Sequence, residues 1–215
     1  MPVSVSDWLL FGLVCLLPSA VIAYFCGCFN GSVIVSKYIL RDDVRSHGSG
    51  NAGLTNFYRT FGGVLTFVVI LCDVVKVIVA VWIASRFLGD TVFAKYWAGW
   101  FCLLGHMFPC MFRFKGGKGI LSGGTLAILV DWRVALVVWG GFLILFFLTK
   151  YVSLGSLWAG FSFPFITWYC YPEPVIVILS FLTGWLVVWQ HRANAKRLMQ
   201  GTENKFSIHK DKPKP

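Results

Sequence analysis

Long hydrophobic runs make up most of the chain, and short polar stretches separate them. The runs fall at about 8–28 (with a weaker continuation to 40), 63–85, 92–108, 119–130, 134–149, 152–171 and 174–190. Charged or turn-forming residues divide them, as at Pro172-Glu173-Pro174. Because about 20 apolar residues cross a bilayer as a helix, the pattern predicts an all-α, polytopic membrane protein with about seven transmembrane helices.

Two of the runs differ from simple apolar spans. The 119–130 run is short for a straight span, so with 134–149 it forms either two helices, one of them tilted or shielded, or a re-entrant hairpin. Inside the 63–85 run, Asp73 and Lys76 lie three residues apart on one helical face. Charges within a membrane usually pair, so we expect an internal ion pair here.

The composition supports this reading. Hydrophobic residues make up 57% of the chain and charged residues 13%, against about 45–50% and about 25% in soluble domains. This excludes a soluble globular enzyme and a disordered chain. The segments between the runs are too short to bury a core of their own. We therefore expect one integral-membrane domain over 1–206, with a basic tail over 207–215, and any active site must be built on the helices and their loops.

The charge balance is strongly basic, with 19 Lys and Arg against nine Asp and Glu and a net charge of +10. In a membrane protein this excess indicates cytoplasmic loops and anionic lipid or phosphorylated partners, and we expect no nucleic acid. Seven spans with an external N-terminus would place 15 basic residues inside, three outside and one within a span. The segments 41–60, 105–123 and 190–206 would then all face the cytoplasm, as would the C-terminus.

The first polar segment, 47–59, combines glycines with hydrogen-bond donors. Gly48, Gly50 and Gly53 allow tight turns, and Arg59 supplies a forked cation suited to phosphate. The donors between them are Ser49, Asn51, Thr55 and Asn56. The segment therefore predicts an anion-binding loop, and the alternative is a polar loop that only caps the next helix.

The second segment, 113–119, places Lys115 and Lys118 around Gly116-Gly117, with Gly119 leading into a helix. Ammonium groups, backbone N–H groups and a helix start together favour an anion. The alternative is a basic interfacial anchor. His106, just before this segment, is either a ligand group or a hydrogen-bonding residue at a helix end.

The third segment, 191–205, is expected to continue helically from the last span, with His191 and Asn194 on one face. The alternative is a basic juxtamembrane helix that binds anionic lipid. The seven cysteines form no paired CxxC sets, so neither disulfides nor a metal site is expected. Acidic residues near these segments are scarce, and we expect no magnesium and no cofactor.

Cationic glycine loops at one face indicate binding of phosphate esters. No histidine is followed five positions later by an aspartate, so the His-x4-Asp dyad of the common glycerolipid acyltransferases is absent. A transporter or binding protein for a phosphorylated solute would also use such loops. Against it, no charges clearly line a path through the membrane and no duplicated halves are visible.

The chain closely resembles the bacterial acyl-phosphate:glycerol-3-phosphate acyltransferases, the PlsY family. The matching stretches are Gly48–Asn56 through Arg59, Gly105–Pro109 with Phe114–Gly119, and His191–Asn194 through Arg197-Leu198 and Gly201–Glu203. The resemblance implies a seven-span enzyme of the bacterial inner (plasma) membrane. It would move an acyl group from acyl phosphate to the 1-hydroxyl of glycerol 3-phosphate, giving lysophosphatidate and phosphate in the first step of phospholipid synthesis. A monomer is expected.

The resemblance also implies roles for single residues. Ser49, Thr55 and Arg59 would hold acyl phosphate, and 115–119 would bind glycerol 3-phosphate with Lys118 as the central cation. Glu203 would be structural, and Ser153 would also reach the site. The expected catalytic set is Ser49, Arg59, Lys118, His191 and Asn194. The expected substrate-binding set is Asn51, Thr55, Asn56, His106, Lys115, Gly116, Gly117, Gly119 and Ser153.

Overall fold

The helices of the computed structural model follow the hydrophobic runs closely. The structure describes residues 5–207, so most of the predicted basic tail lies outside the described residues. Within that range the chain forms ten helices, two short 3₁₀ turns (Val44–Ser46 and Cys110–Phe112) and no strand. The helices are α1 (Val5–Phe11, continued by Gly12–Leu16 and Leu17–Cys28), α2 (Gly31–Ile34, continued by Val35–Ile39), α3 (Leu54–Thr60), α4 (Leu65–Leu88), α5 (Val92–Met107), α6 (Ile120–Val130), α7 (Trp132–Thr149), α8 (Val152–Cys170), α9 (Pro174–Gln190) and α10 (Arg192–Met199).

The outer surface of this bundle suits lipid. Within residues 5–207, three helices are by themselves long and apolar enough to cross a membrane: Ser6–Cys28, Leu65–Leu88 and Trp132–Thr149. The bent pair Pro174–Gln190 and Arg192–Met199 adds a fourth if it is counted as one span. Large apolar side chains on these helices remain exposed, among them Phe67 and Leu148 at 72% and 77%. In water such a surface would aggregate, whereas in a bilayer it faces the lipid.

The short helix α6 is explained by the loop before it. The Gly116 and Gly117 N–H groups donate to the carbonyls of Met107 and His106, each at 3.1 Å, so the loop folds back along the end of α5. Helix α6 therefore begins inside the bundle. Its 11 residues rise about 16 Å, much less than the ~30 Å of the hydrocarbon core. It packs against α4, α5, α7 and α8, which shield it.

The two alternatives for residues 119–149 are distinguished by where α6 ends. Asp131 follows α6 and caps α7, accepting from the Arg133 N–H at 2.7 Å. The Tyr171 hydroxyl donates to Asp131 at 2.6 Å, which places Asp131 at the C-terminal end of α8. Ser153, at the start of α8, lies at the other end of the bundle, so the turn between α6 and α7 lies at the end of the bundle and not halfway along it. This favours two separate helices, the first of them short and shielded, over a re-entrant hairpin.

The third polar segment continues as a helix over Arg192–Met199, as predicted, but only after a sharp bend that the sequence did not predict. The chain bends by 54° between α9 and α10. At the bend, the His191 N–H is shared between the carbonyls of Val187 and Val188, at 3.2 and 3.0 Å. The His191 ring takes a second bond to Val187, so the regular i→i−4 ladder is interrupted. Helix α10 then ends at Met199, and residues 200–207 cross the end of the bundle.

Candidate active site

The three polar segments meet at one cavity of about 600 Å³ at one end of the bundle. Most of the predicted site residues line it. They are Ser49, Asn51, Thr55, Asn56, Arg59, His106, Lys118, Gly119, Ser153, His191 and Asn194. The sequence placed these residues in four separate segments, and the bundle brings them together.

Lys118 is connected to the third segment by a chain of side-chain hydrogen bonds. Its ammonium donates to Oδ1 of Asn194. The Asn194 Nδ2 donates to Glu203 at 2.7 Å, and the Arg197 Nε donates to the other oxygen of Glu203 at 2.6 Å. Glu203 thereby fixes the Asn194 amide so that its oxygen faces Lys118. Burial, and then the nearby Arg197, lower the pKa of Lys118 to about 8.

Glu203 stays ionised in this arrangement. Burial alone would raise the pKa of its carboxyl, but the hydrogen bonds from Asn194 and Arg197 outweigh burial and lower it. The Ser153 hydroxyl is buried at the cavity wall beside Glu203 and also helps to lower the pKa of its carboxyl.

His191 presents a lone pair to the cavity. Its side chain is 4% exposed, and Nδ1 lies 2.8 Å from the Val187 carbonyl. Because a carbonyl only accepts, Nδ1 carries the proton and Nε2 is the acceptor. Burial lowers the pKa of His191 to about 4, despite the bond to Val187. The neutral ring can therefore accept a hydrogen bond but is a weak base.

Hydrogen bonds from the Asn56 side chain hold the glycine-rich loop of the first polar segment, residues 47–59, in shape. Its Nδ2 lies within 3.0–3.1 Å of the carbonyls of Val44, His47 and Asn51, and its Oδ1 accepts from the Ser49 N–H at 3.0 Å. The amide that was expected to bind substrate is therefore occupied within the loop, and Asn56 shapes the loop instead. Ser49 remains exposed at the cavity mouth. Gly48 has a φ of +55°, and a side chain there would collide with Asn56.

The second polar segment, residues 113–119 (the lysine loop), contributes fewer backbone N–H groups to the cavity than the sequence predicted. The N–H groups of Gly116 and Gly117 are used within the protein and cannot cradle an anion. Lys115 is exposed and lies outside the cavity lining. Its carbonyl, with that of Phe112, accepts from Arg45. Of the predicted site residues in this loop, only Lys118 and Gly119 line the cavity. Gly116 and Gly117 instead allow the loop to pack closely against α5.

Several lining residues were not anticipated. Ser156, Trp139 and Phe142 form part of the wall, and Asn204 accepts from Arg59 through its carbonyl at 3.2 Å. In the sequence, Trp139 and Phe142 are two of many aromatic residues in apolar runs. Their spacing of three places them on one helical face, but it does not indicate which face meets the cavity.

These observations define the class of protein: an all-helical membrane protein with a cation-lined cavity at its helix ends. The chain belongs to the glycerol-3-phosphate acyltransferase family, whose model matches residues 17–201.

Known relatives agree with this assignment. The chain is 37% identical over 188 residues to a glycerol-3-phosphate acyltransferase of Thermoanaerobacter pseudethanolicus, covering 87% of this chain and 94% of the relative. It is 39% identical over 199 residues to the enzyme of that name from Clostridioides difficile, covering 89% and 96%. The crystal structure of PlsY (YgiH), an integral membrane glycerol 3-phosphate acyltransferase, in its glycerol 3-phosphate form superimposes with a TM-score of 0.81. In that comparison the sequences are 30% identical, and 89% of this chain and 96% of the other are covered.

Proposed function

We propose that this protein transfers a fatty acyl group from acyl phosphate to the 1-hydroxyl of glycerol 3-phosphate, releasing lysophosphatidate and phosphate. The observation that carries the proposal is the convergence of Lys118, Arg59 and Arg197 on one cavity at the end of a membrane bundle. Two phosphorylated substrates bring several negative charges, which these cations offset. Membership of the family supports an enzyme over a transporter for a phosphorylated solute.

The same cavity offers a place for the acyl chain. Its other wall is apolar and includes Leu121, Trp139 and Phe142. Phe142 and Trp139 belong to α7, whose outer residues are exposed to lipid. A chain that lies against this wall would stay out of water while its carbonyl carbon lies close to the cations.

The residues present favour direct transfer. The glycerol 1-hydroxyl oxygen attacks the acyl carbon, the bond from that carbon to the phosphate oxygen breaks, and the departing phosphate takes the hydroxyl proton. In this scheme His191 orients glycerol 3-phosphate by accepting at Nε2 a hydrogen bond from its other hydroxyl, which leaves the 1-hydroxyl proton for the phosphate, since a ring with a pKa of about 4 holds a proton poorly. Lys118 stabilises the charge on the phosphate. Ser49 donates a hydrogen bond and forms no covalent intermediate.

A donor comparison tests this proposal. Purified protein in detergent should release phosphate from palmitoyl phosphate only when glycerol 3-phosphate is present, with sequential kinetics and with chelator present. Arg59→Ala should abolish release, whereas Arg192→Ala should retain most of it, because Arg192 packs over Trp189 and lies outside the cavity lining. Robust turnover of acyl-CoA, or an acyl group trapped on Ser49, would overturn the donor or the direct route.

The expected location and assembly belong to the same proposal. The site lies in the cytoplasmic face of the bacterial inner membrane, where both substrates are accessible, with the N-terminus outside. We expect a single copy of the chain to be sufficient for activity.

A further inference from the structure

Three ionisable side chains lie together inside the bundle, at the inner wall of the cavity. Asp73 and Lys76 on α4 form the predicted ion pair, with the Lys76 Nζ 2.6 Å from the Asp73 Oδ1. The same Nζ lies 2.6 Å from the Nδ1 of His106, near the end of α5. All three residues are almost fully buried, at 2%, 5% and 3% exposure for Asp73, Lys76 and His106.

The hydrogen-bond geometry of Lys76 determines the protonation of the histidine. An ammonium has three N–H donors and no acceptor. The three donors of Lys76 have three acceptors within reach: the Asp73 carboxylate, the Phe29 carbonyl at 3.4 Å and His106 Nδ1. His106 Nδ1 must therefore carry a lone pair, and the proton of the neutral ring lies on Nε2.

The other side of the His106 ring faces the cavity. His106 is one of the lining residues, and within residues 5–207 its Nε2 has no hydrogen-bond partner. That nitrogen lies next to Gly117, where a side chain would collide with it, and Lys118 is the next residue. A proton on Nε2 would therefore be available to a ligand in the cavity, which Lys118 also lines.

We propose that Lys76, anchored by Asp73, is a positioning residue that holds His106 as its Nε2–H tautomer, so that His106 donates a hydrogen bond to a phosphate oxygen of a bound substrate. The identity of that phosphate as acyl phosphate or glycerol 3-phosphate rests on the proposed function. His106 and His191 then have opposite roles, because His191 is held by a carbonyl and accepts at Nε2, whereas His106 is held by an ammonium and donates there.

Removal of Lys76 has a defined consequence. The Asp73 Oδ1 lies 3.7 Å from His106 Nδ1. Without the ammonium between them, the carboxylate attracts the imidazole proton to Nδ1, and Nε2 becomes an acceptor that repels a phosphate oxygen. The ion pair thus prevents a carboxylate–histidine arrangement that would present the wrong atom to the cavity.

Tautomers can be observed directly by ¹⁵N NMR of histidine-labelled protein in detergent. The chain has four histidines, and the resonances missing from His106→Gln assign His106. We expect an unprotonated Nδ1 and a protonated Nε2 in the natural protein without substrate, and the reverse in Lys76→Met. An imidazolium, or an Nδ1–H tautomer, in the natural protein would overturn the proposal, whatever reaction the protein catalyses.

Kinetics then test whether Lys76 acts through His106. The double variant Asp73→Asn/Lys76→Met removes both charges and avoids an unpaired buried carboxylate. It should lower kcat/KM about 10- to 100-fold, the effect of one hydrogen bond to a charged group. The KM that rises, for palmitoyl phosphate or for glycerol 3-phosphate, identifies the recipient phosphate.

The same double variant is then made in a His106→Gln background. The glutamine Nε2 can donate from nearly the histidine Nε2 position without a tautomer to set, so the double variant should have little further effect there. His106→Asn, whose amide corresponds to Nδ1 instead, should be at least about tenfold less active than His106→Gln. An equal loss from the double variant in both backgrounds would show that Lys76 is only structural, and the proposal would be wrong.

Discussion

Burial changes how easily a cation in the cavity loses its proton. Lys118 lies among Arg59, Arg197 and Arg192, and burial with this repulsion lowers its pKa to about 8. A lysine of this kind is charged at pH 7 but loses its proton more easily than a lysine at the surface. A bound phosphate would favour the charged form again. Lys118 is therefore a cation whose charge depends on both pH and substrate.

This gives a prediction for the pH dependence. Because the protonated amine binds the phosphate, kcat/KM should be highest below pH 8 and should fall as the pH rises through about 8. Lys118→Ala should lower activity by ~100-fold or more below pH 8, and the difference should shrink as the pH rises above 8 and the natural protein also loses this charge. Lys118→Arg, whose guanidinium stays charged, should move the alkaline fall upward in whatever activity it keeps. Phosphate release measured from pH 6 to 10 checks this, and an unchanged alkaline limb in Lys118→Arg would assign it to another group.

The residue types of the site could be predicted from the sequence better than their roles. Dense donors and cations identified Ser49, Arg59 and Lys118 as cavity residues, and the structure brings them together. The sequence did not indicate that Asn56 uses its whole amide within its own loop or that Lys115 faces outward. Both facts depend on which neighbours tertiary packing supplies, and residue spacing does not contain that information.

The helices followed the hydrophobic runs because a membrane segment must satisfy its backbone internally and has little alternative to a helix. The bend at His191 and the inward position of α6 were harder to predict from the sequence. The bend depends on a side chain that bonds the Val187 carbonyl, and the position of α6 depends on a loop that pairs with the end of α5. Such contacts between polar groups leave no periodic signal in the sequence.

The lysine loop therefore has little tolerance for added volume. A Cβ at Gly117 would collide with the His106 ring and would lie 3.0 Å from the Ala52 carbonyl, so Gly117→Ala should push Lys118 from its position. A displacement of ~1 Å commonly lowers turnover about 100-fold, and the overpacking should also cost about 1–3 kcal/mol of stability. Measurements of phosphate release and of the thermal midpoint check both effects.

Gly140→Ala is the matched control. Gly140 lies inside α7, and no atom of residues 5–207 lies within 4 Å of an added Cβ, so alanine there should leave activity unchanged and add about 0.5–1 kcal/mol of helix stability. Equal losses in the two variants would mean that the Gly117 effect is unspecific. A fully active Gly117→Ala would show that the loop can shift without moving its lysine.

On the scale of the whole molecule, three separate segments meet at the cavity and therefore lie at the same end of the bundle. Lys118, Arg59 and Arg197 lie there, and the opposite end carries Asp131 and Tyr171. Basic residues are retained on the cytoplasmic side during insertion, so the asymmetry predicts the orientation of the entire chain. One wrong assignment would reverse every segment, which makes the orientation easy to test.

We expect a cysteine at Glu173 to react with an impermeant thiol reagent added to intact cells, and a cysteine at Lys115 to react only after the cells are opened. Both positions are exposed and outside the cavity lining, so neither substitution should disturb the site. The seven natural cysteines give a background, which the unsubstituted protein measures in parallel. Labelling of Lys115→Cys from outside would place the cavity on the external face. Glycerol 3-phosphate made in the cytoplasm would not reach it there, so the same result would also count against the proposed reaction.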